Sequence, residues 1–188
     1  MRKCICLIVC VWVYLCLGIS LLFAQPAEAK RVEIVFGPRV GVTYIAVNPE
    51  EFNKSLQETY PDESRSYFPM MTQFGVNLEQ RIRLGDTDSH FAFQEVLVIG
   101  GIDQNIFLPS LSVLIGFRSR VGLEFGLGPN VTLVRSEEGL VPNLSVIYAA
   151  GWTFNFRDVF VPVNIAVVPT PTDGHPRVSF MTGFNFNL

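Results

Sequence analysis

From Met70 to Leu84 the chain alternates with a period of two for some fifteen residues. Even positions carry Met70, Thr72, Phe74, Val76, Leu78, Gln80, Ile82 and Leu84, and odd positions carry Met71, Gln73, Gly75, Asn77, Glu79, Arg81 and Arg83. Successive side chains of a strand point to opposite faces, so the stretch reads as one strand with an apolar side and a polar side. Its length is the constraint. Strands of globular domains average about 5–6 residues, whereas a strand tilted across a bilayer needs about 9–11 for the hydrocarbon alone.

The same alternation recurs. Val40, Val42, Tyr44 and Ala46 oppose Arg39, Gly41 and Thr43; Leu111, Val113, Ile115 and Phe117 oppose Ser112 and Gly116; Val121, Leu123, Phe125 and Leu127 oppose Gly122, Glu124, Gly126 and Gly128. Leu144 to Phe154 and Val178 to Leu188 repeat the pattern. Phe91 to Ile102 mixes its faces, and Val159 to Val168 is apolar on both apart from Pro162 and Asn164. These segments predict eight strands. Short polar turns at 85–89, 118–120 and 155–158 alternate with longer connections at 48–67, 103–110, 135–141 and 169–176. Short turns at one end and long loops at the other predict an all-β, eight-stranded antiparallel up-and-down transmembrane barrel. In the first long loop Asn48-Pro49-Glu50-Glu51 reads as an N-cap followed by Pro and acids, with Phe52, Leu56 and Tyr60 recurring at helical spacing before Pro61. A short helix is expected there.

The first segment stands apart. Arg2 and Lys3 precede a long apolar run, and Ala27-Glu28-Ala29 supplies small residues ahead of Lys30. This predicts a secretory signal peptide over residues 1–29, cleaved after Ala29, with the barrel over residues 30–188. All four cysteines (Cys4, Cys6, Cys10 and Cys16) fall within it, which leaves residues 30–188 no disulfide, thiolate nucleophile or cysteine metal site. The net charge of −3 gives no basic footprint for nucleic acid.

Alternation alone does not say which face looks inward. A soluble lipocalin-like barrel points its apolar side chains inward around a ligand; a membrane barrel points them at lipid. The polar face here is rich in Gly41, Gly75, Gly116, Gly122, Gly126, Gly128, Gly151 and Gly183, with few charges. Such a face is a poor outer surface in water and suits the inside of a tight barrel. Its large members are Arg39, Glu79, Arg81, Arg83 and Glu124, with Glu95 on a strand of mixed faces. Buried charges need partners, so an ion-pair network of Arg39, Glu79, Arg81 and Glu124 is expected to fill the lumen. Phe68, Phe117, Trp152, Phe154, Phe156 and Phe186 fall near strand ends, where aromatic girdles sit.

With the signal segment, eight alternating strands and the closing segment RVSFMTGFNFNL (Arg177 to Leu188) in hand, the chain resembles the small eight-stranded outer-membrane barrels: the OmpA transmembrane domain and the OmpX-like and OmpW-like proteins. GPRVGVTY and GLEFGLGPN look like barrel strands of that group rather than active-site motifs. The resemblance implies location in the outer membrane, contact with its lipid, and a monomer presenting loops to an extracellular partner. It also implies a last strand read by the barrel-assembly machinery through apolar residues at every second place. Phe180, Phe184, Phe186 and Leu188 match that spacing, although Leu188 stands where the family commonly has an aromatic residue and Thr182 interrupts the row.

Catalytic chemistry is not expected. His90 and His175 sit in turn and loop sequence without a metal-binding spacing. His175, Asp173 and Ser110 or Ser136 are the residue types of a lipid-modifying hydrolase but form no motif. No cofactor is expected. Beside a structural or interaction barrel with at most a narrow pore, two alternatives stand. One is an OmpW-like conduit for small hydrophobic molecules, opened laterally near Pro142, Pro162 or Pro169; the other is a soluble periplasmic lipocalin-like barrel.

Overall fold

The structure is a computed structural model that describes residues 32–60, 65–85, 87–136, 139–156, 159–169 and 175–188. The predicted signal peptide lies outside the described residues, as do Pro61, Asp173 and the Glu137-Glu138 pair. In chain order the elements are β1 (Val32–Ile45), α1 (Pro49–Thr59), β2 (Met70–Arg83), β3 (His90–Gly100), a 3-10 turn (Ile102–Gln104), β4 (Leu108–Arg118), β5 (Leu123–Ser136), β6 (Gly139–Phe156), β7 (Val159–Val168), β8 (Arg177–Gly183) and β9 (Asn185–Asn187).

From β2 to β8 each strand pairs antiparallel with the next, and β1 pairs with both β8 and β2, which closes the ring. The last two strands act as one, interrupted at Phe184: β8 pairs with Arg39 to Ile45, and β9 with Val35 and Phe36. The result is an eight-stranded up-and-down barrel. Its outer wall is apolar. Ile115 is 65 % exposed, and Phe74, Phe125, Leu127, Trp152, Ile165, Phe180, Phe184 and Phe186 also lie exposed around the ring. In water such a surface would be a large unfavourable patch; in a bilayer it is the matching solvent.

Several boundaries differ from the sequence reading. β1 starts at Val32, well before Arg39, because Ile34 and Phe36 continue the outward row across Gly37 and Pro38. The described residues of the expected loop over 135–141 belong to strands. β5 runs to Ser136 and β6 starts at Gly139, paired Ser136 to Gly139 and Leu133 to Pro142. β6 pairs with β7 only from Tyr148 onward, so this hairpin continues past the end of β7. At the other end, the β4–β5 turn is held by Ser119 N–H on Leu123 O (2.8 Å) and depends on Gly122, whose φ of 94° suits glycine.

The helix α1 forms where the capping sequence places it. Asn48 accepts the Glu50 N–H at 2.9 Å, Pro49 occupies the first turn, and the Tyr60 N–H closes the end on Leu56 O. The β1–β2 and β3–β4 connections are clipped together: Gln104 accepts from Phe68 N and donates to Met70 O, and Asp103 accepts from Thr72 N and Oγ1.

Candidate functional site

The lumen is built by a ladder of small side chains. Arg81, Ala92, Gly116, Gly126, Ala149, Ala166, Ser179 and Thr43 occupy successive paired positions around the ring. All face inward, and five of the eight are Gly or Ala. An eight-stranded barrel has an interior only wide enough for side chains. Small residues on this row therefore leave room for long ones from the rows beside it.

Glu79 on β2 sits at the centre and is 1 % exposed. Its Oε1 accepts from Arg81 Nε (2.9 Å) and from Arg118 Nε on β4 (2.9 Å), and its Oε2 from Arg118 Nη2 (3.3 Å). Arg118 also pairs with Glu124 Oε1 on β5 at 3.3 Å and donates to Gln94 Oε1 on β3 at 3.0 Å. Gln94 in turn donates to Asn77 Oδ1 at 2.7 Å. Glu124 accepts from the Thr153 hydroxyl on β6, and from the Asn164 amide on β7 (3.3 Å) when that amide is oriented by its hydrogen bonds. The Arg81 guanidinium lies over the Phe160 ring at 4.8 Å. Two carboxylates thus tie together side chains from six strands. A bidentate, charge-assisted pair fixes geometry as well as energy, and full hydrogen bonding is what lets charges stay in a low-dielectric interior.

Of the four residues singled out for the lumen, Glu79, Arg81 and Glu124 lie in this cluster. Arg39 is buried beside it, with Nη1 on Pro38 O at 3.1 Å and no carboxylate within ion-pair distance. Arg83 is not in the lumen: it is exposed at the short-turn rim, 3.2 Å from Glu33. Glu95 points outward with Phe93 and Leu97, because Ala92, Gln94, Val96 and Val98 take the inward positions of β3. Arg118, placed in a turn by the sequence reading, is an inward residue of β4. Its row was legible, since Phe117 belongs to the outward series and the next residue must face in.

Above the cluster the lumen changes character. A cavity of about 80 Å³ is lined by Val96, Val98, Leu114, Ala166 and Met181 as well as by Arg39, Thr43, Ser179 and Asn130. The charged cluster thus lies toward the short-turn half, while Arg177, whose Nη1 donates to Thr132 Oγ1 at 3.5 Å, lines the cavity at its long-loop end. Asn130 donates to Ser110 (2.7 Å) and Ser112 (2.9 Å), and Thr43 and Ser179 share a 2.6 Å hydroxyl bond. Over the long-loop mouth lies α1. Phe52, Leu56 and Tyr60 face Ile45, Met71, Leu108 and Val134 across a chamber of about 270 Å³. Arg135 stacks over the Tyr60 ring at 5.4 Å, and Tyr67 is pinned by Asn53 (2.8 Å) and Tyr60 O (3.2 Å). His175 lines this chamber while Ser110 is engaged inside the lumen, and Asp173 lies outside the described residues. Among the described residues no cluster of metal-binding side chains occurs.

Phe180, Phe184, Phe186 and Leu188 face outward and are exposed, while Gly183 and Asn185 between them are buried. Leu188 N–H still bonds Ile34 O at 2.9 Å, so the wall holds to that residue.

No protein-family profile matches the chain, and no curated protein matches it in sequence. Solved structures do. Ail, the attachment invasion locus protein of Yersinia pestis, superposes with a TM-score of 0.50 at 14% identity, covering 84% of this chain and 98% of Ail. The chain has the fold of a small eight-stranded outer-membrane barrel. The N-terminal barrel of Pseudomonas aeruginosa OprF (TM-score 0.42, 17% identity, 81% and 97% covered) and Neisserial surface protein A (0.43, 11%, 83% and 97%) are more distant matches. At these identities the likeness concerns the path of the backbone; the side chains of the lumen are this chain's own.

Proposed function

We propose that this chain is a bacterial outer-membrane barrel, closed to solute flow, that acts as a scaffold for the surface at its α1 end. The observation that carries the reading is the Glu79–Arg118–Glu124 cross-brace, which joins β2, β4 and β5 through the middle of the lumen. Eight strands leave no channel around such a cluster. The surface left to act is therefore the long-loop end: α1, the clipped β1–β2 and β3–β4 connections, and the protruding β5–β6 hairpin. Loops held by a rigid scaffold are where binding surfaces concentrate. In this reading the short-turn end faces the periplasm, Phe180, Phe184, Phe186 and Leu188 serve the assembly machinery, the barrel works as a monomer, and no catalytic step is involved.

Of the three prolines tied to the conduit alternative, Pro169 lies just past the end of β7. Pro142 pairs with Leu133 and Pro162 with Thr153, so both are carried within the wall. A soluble lipocalin-like barrel would need the reverse distribution of exposed side chains. Planar-bilayer recording of the purified protein is the test. A closed barrel gives no steady conductance, and regular channel steps in the wild type overturn the reading.

A further inference from the structure

The helix α1 is amphipathic, yet it buries none of its residues. Its apolar stripe, Phe52, Leu56 and Tyr60, faces the chamber of about 270 Å³ over the barrel mouth, and each of the three is only half-buried. A helix normally brings such a stripe into van der Waals contact with what lies beneath it. Here polar bonds fix its height instead. The buried Tyr67 stands as a post: its N–H donates to Asn53 Oδ1 (2.8 Å) and its hydroxyl to Tyr60 O (3.2 Å). Gln57 Nε2 also reaches Arg65 O at 3.1 Å, and the Arg135 guanidinium stacks on the Tyr60 ring at 5.4 Å. The chamber is thus held open, with α1 as its roof and Ile45, Met71 and Leu108 as its floor.

Its polar groups are unequal. Arg177 begins the inward row of β8 and lines both this chamber and the lumen cavity beneath it, and Arg135 lines the chamber beside Tyr60. Both side chains are donors only and keep their charge. Glu51 lines the chamber too, but it belongs to the first turn of α1, where the helix dipole already engages a carboxylate. It lies roughly 14 Å along the axis from the Tyr60 end, at the helical rise per residue. Apolar walls with two donor-only cations suit a ligand that has an apolar body and an acceptor at one end. A carboxylate meets a guanidinium through two parallel hydrogen bonds. An arginine fork serves several acceptors at once, so the 3.5 Å bond from Arg177 Nη1 to Thr132 Oγ1 is compatible with a carboxylate beside it.

We propose that the chamber under α1 binds one small amphipathic monocarboxylate, with its carboxylate on Arg177 and its apolar body against Phe52 and Leu56. An apolar cavity of about 150 Å³ admits a benzene, so this one admits about ten heavy atoms. The site goes beyond the scaffold reading and does not depend on whether the lumen conducts, so ligand binding and bilayer recording fail separately.

The test titrates the intact barrel in lipid nanodiscs with phenylpropanoate, phenylpropanol and phenylpropylamine, probes of one shape whose heads are anionic, neutral and cationic. Calorimetry against empty nanodiscs subtracts partition into lipid. The acid should bind saturably, one molecule per barrel, and about tenfold or more tighter than the alcohol, the worth of hydrogen bonds to a charged group; the amine should not bind. Leu56→Trp fills the chamber from the helix, leaves the wall untouched, and should abolish binding of the acid. Arg177→Gln should bring the acid down to the alcohol's affinity while the barrel keeps its heat-modifiable mobility. Equal binding of acid and alcohol, binding that survives Leu56→Trp, or no saturable binding at millimolar acid overturns the site. Should Arg177→Gln fail to fold, the acid-to-alcohol ratio in the wild type and the Leu56→Trp result decide.

Discussion

Arg118 on β4 reaches past β3 to Glu79 on β2, with Nε 2.9 Å from Oε1 and Nη2 3.3 Å from Oε2. The pair spans a strand whose inward residues at that level, Ala92 and Gln94, are either too small to obstruct it or bonded into it. It converts three neighbouring strands into one braced unit.

Removing the carboxylate leaves Arg81 and Arg118 buried without their shared partner. Glu79→Gln is expected to destabilise the barrel by about 3–5 kcal/mol, the usual cost of breaking a buried pair from one side. Urea unfolding in lipid vesicles, followed by tryptophan fluorescence, measures it.

Glu95 is the central residue of β3, faces outward, and has Leu78 and Val113 as its cross-strand neighbours. A carboxyl group on a lipid-facing surface is unfavourable. Glu95→Leu should stabilise the barrel in vesicles by about 1 kcal/mol, read in the same unfolding assay. A loss of stability would mean that Glu95 is engaged by something other than lipid.

The cap of α1 can be tested without touching the wall. Asn48→Ala removes the acceptor of the Glu50 N–H and should cost the helix about 1 kcal/mol. Amide exchange of Glu50 to Phe52 should quicken while that of β1 and β2 stays slow.

Phe184 stands outward at the break between β8 and β9, half exposed, with Asn185 beside it buried. Phe184→Asp places a charge on the lipid side of the strand that closes the ring. Assembly in cells should fail, seen as loss of the heat-modifiable band with the unassembled chain retained in the periplasm; normal insertion would contradict the role given to this strand.

The barrel was legible because period-two alternation runs the length of β2, β4, β5, β6 and β8 with few interruptions, and because a glycine-rich polar face has few uses other than a narrow lumen. Glu79, Arg81 and Glu124 followed from parity alone. Glu95 did not, since Val96 and Val98 make the inward face of β3 as apolar as its outward face, and alternation carries no signal when both sides are apolar. Arg118 was hidden by its place at a strand end, where a charged residue also reads as turn. The β5–β6 hairpin was missed because Pro142 and the glutamates look like loop, although Val134, Val141 and Leu144 carry the strands on. Arg39's lack of a carboxylate partner depends on how far the ladder shifts around the ring, which no local pattern reports.

The central claim is that one face of every strand meets lipid and the other a closed lumen. The described residues contain no cysteine, so single cysteines carrying a spin label can be stepped through the paired segments 165–168 and 178–181. In liposomes, labels at Ile165, Val167, Val178 and Phe180 should collide freely with oxygen and poorly with a water-soluble nickel complex. Labels at Ala166, Ser179 and Met181 should be reached by neither. Nickel access at the first set, or oxygen access at the second, would contradict the account.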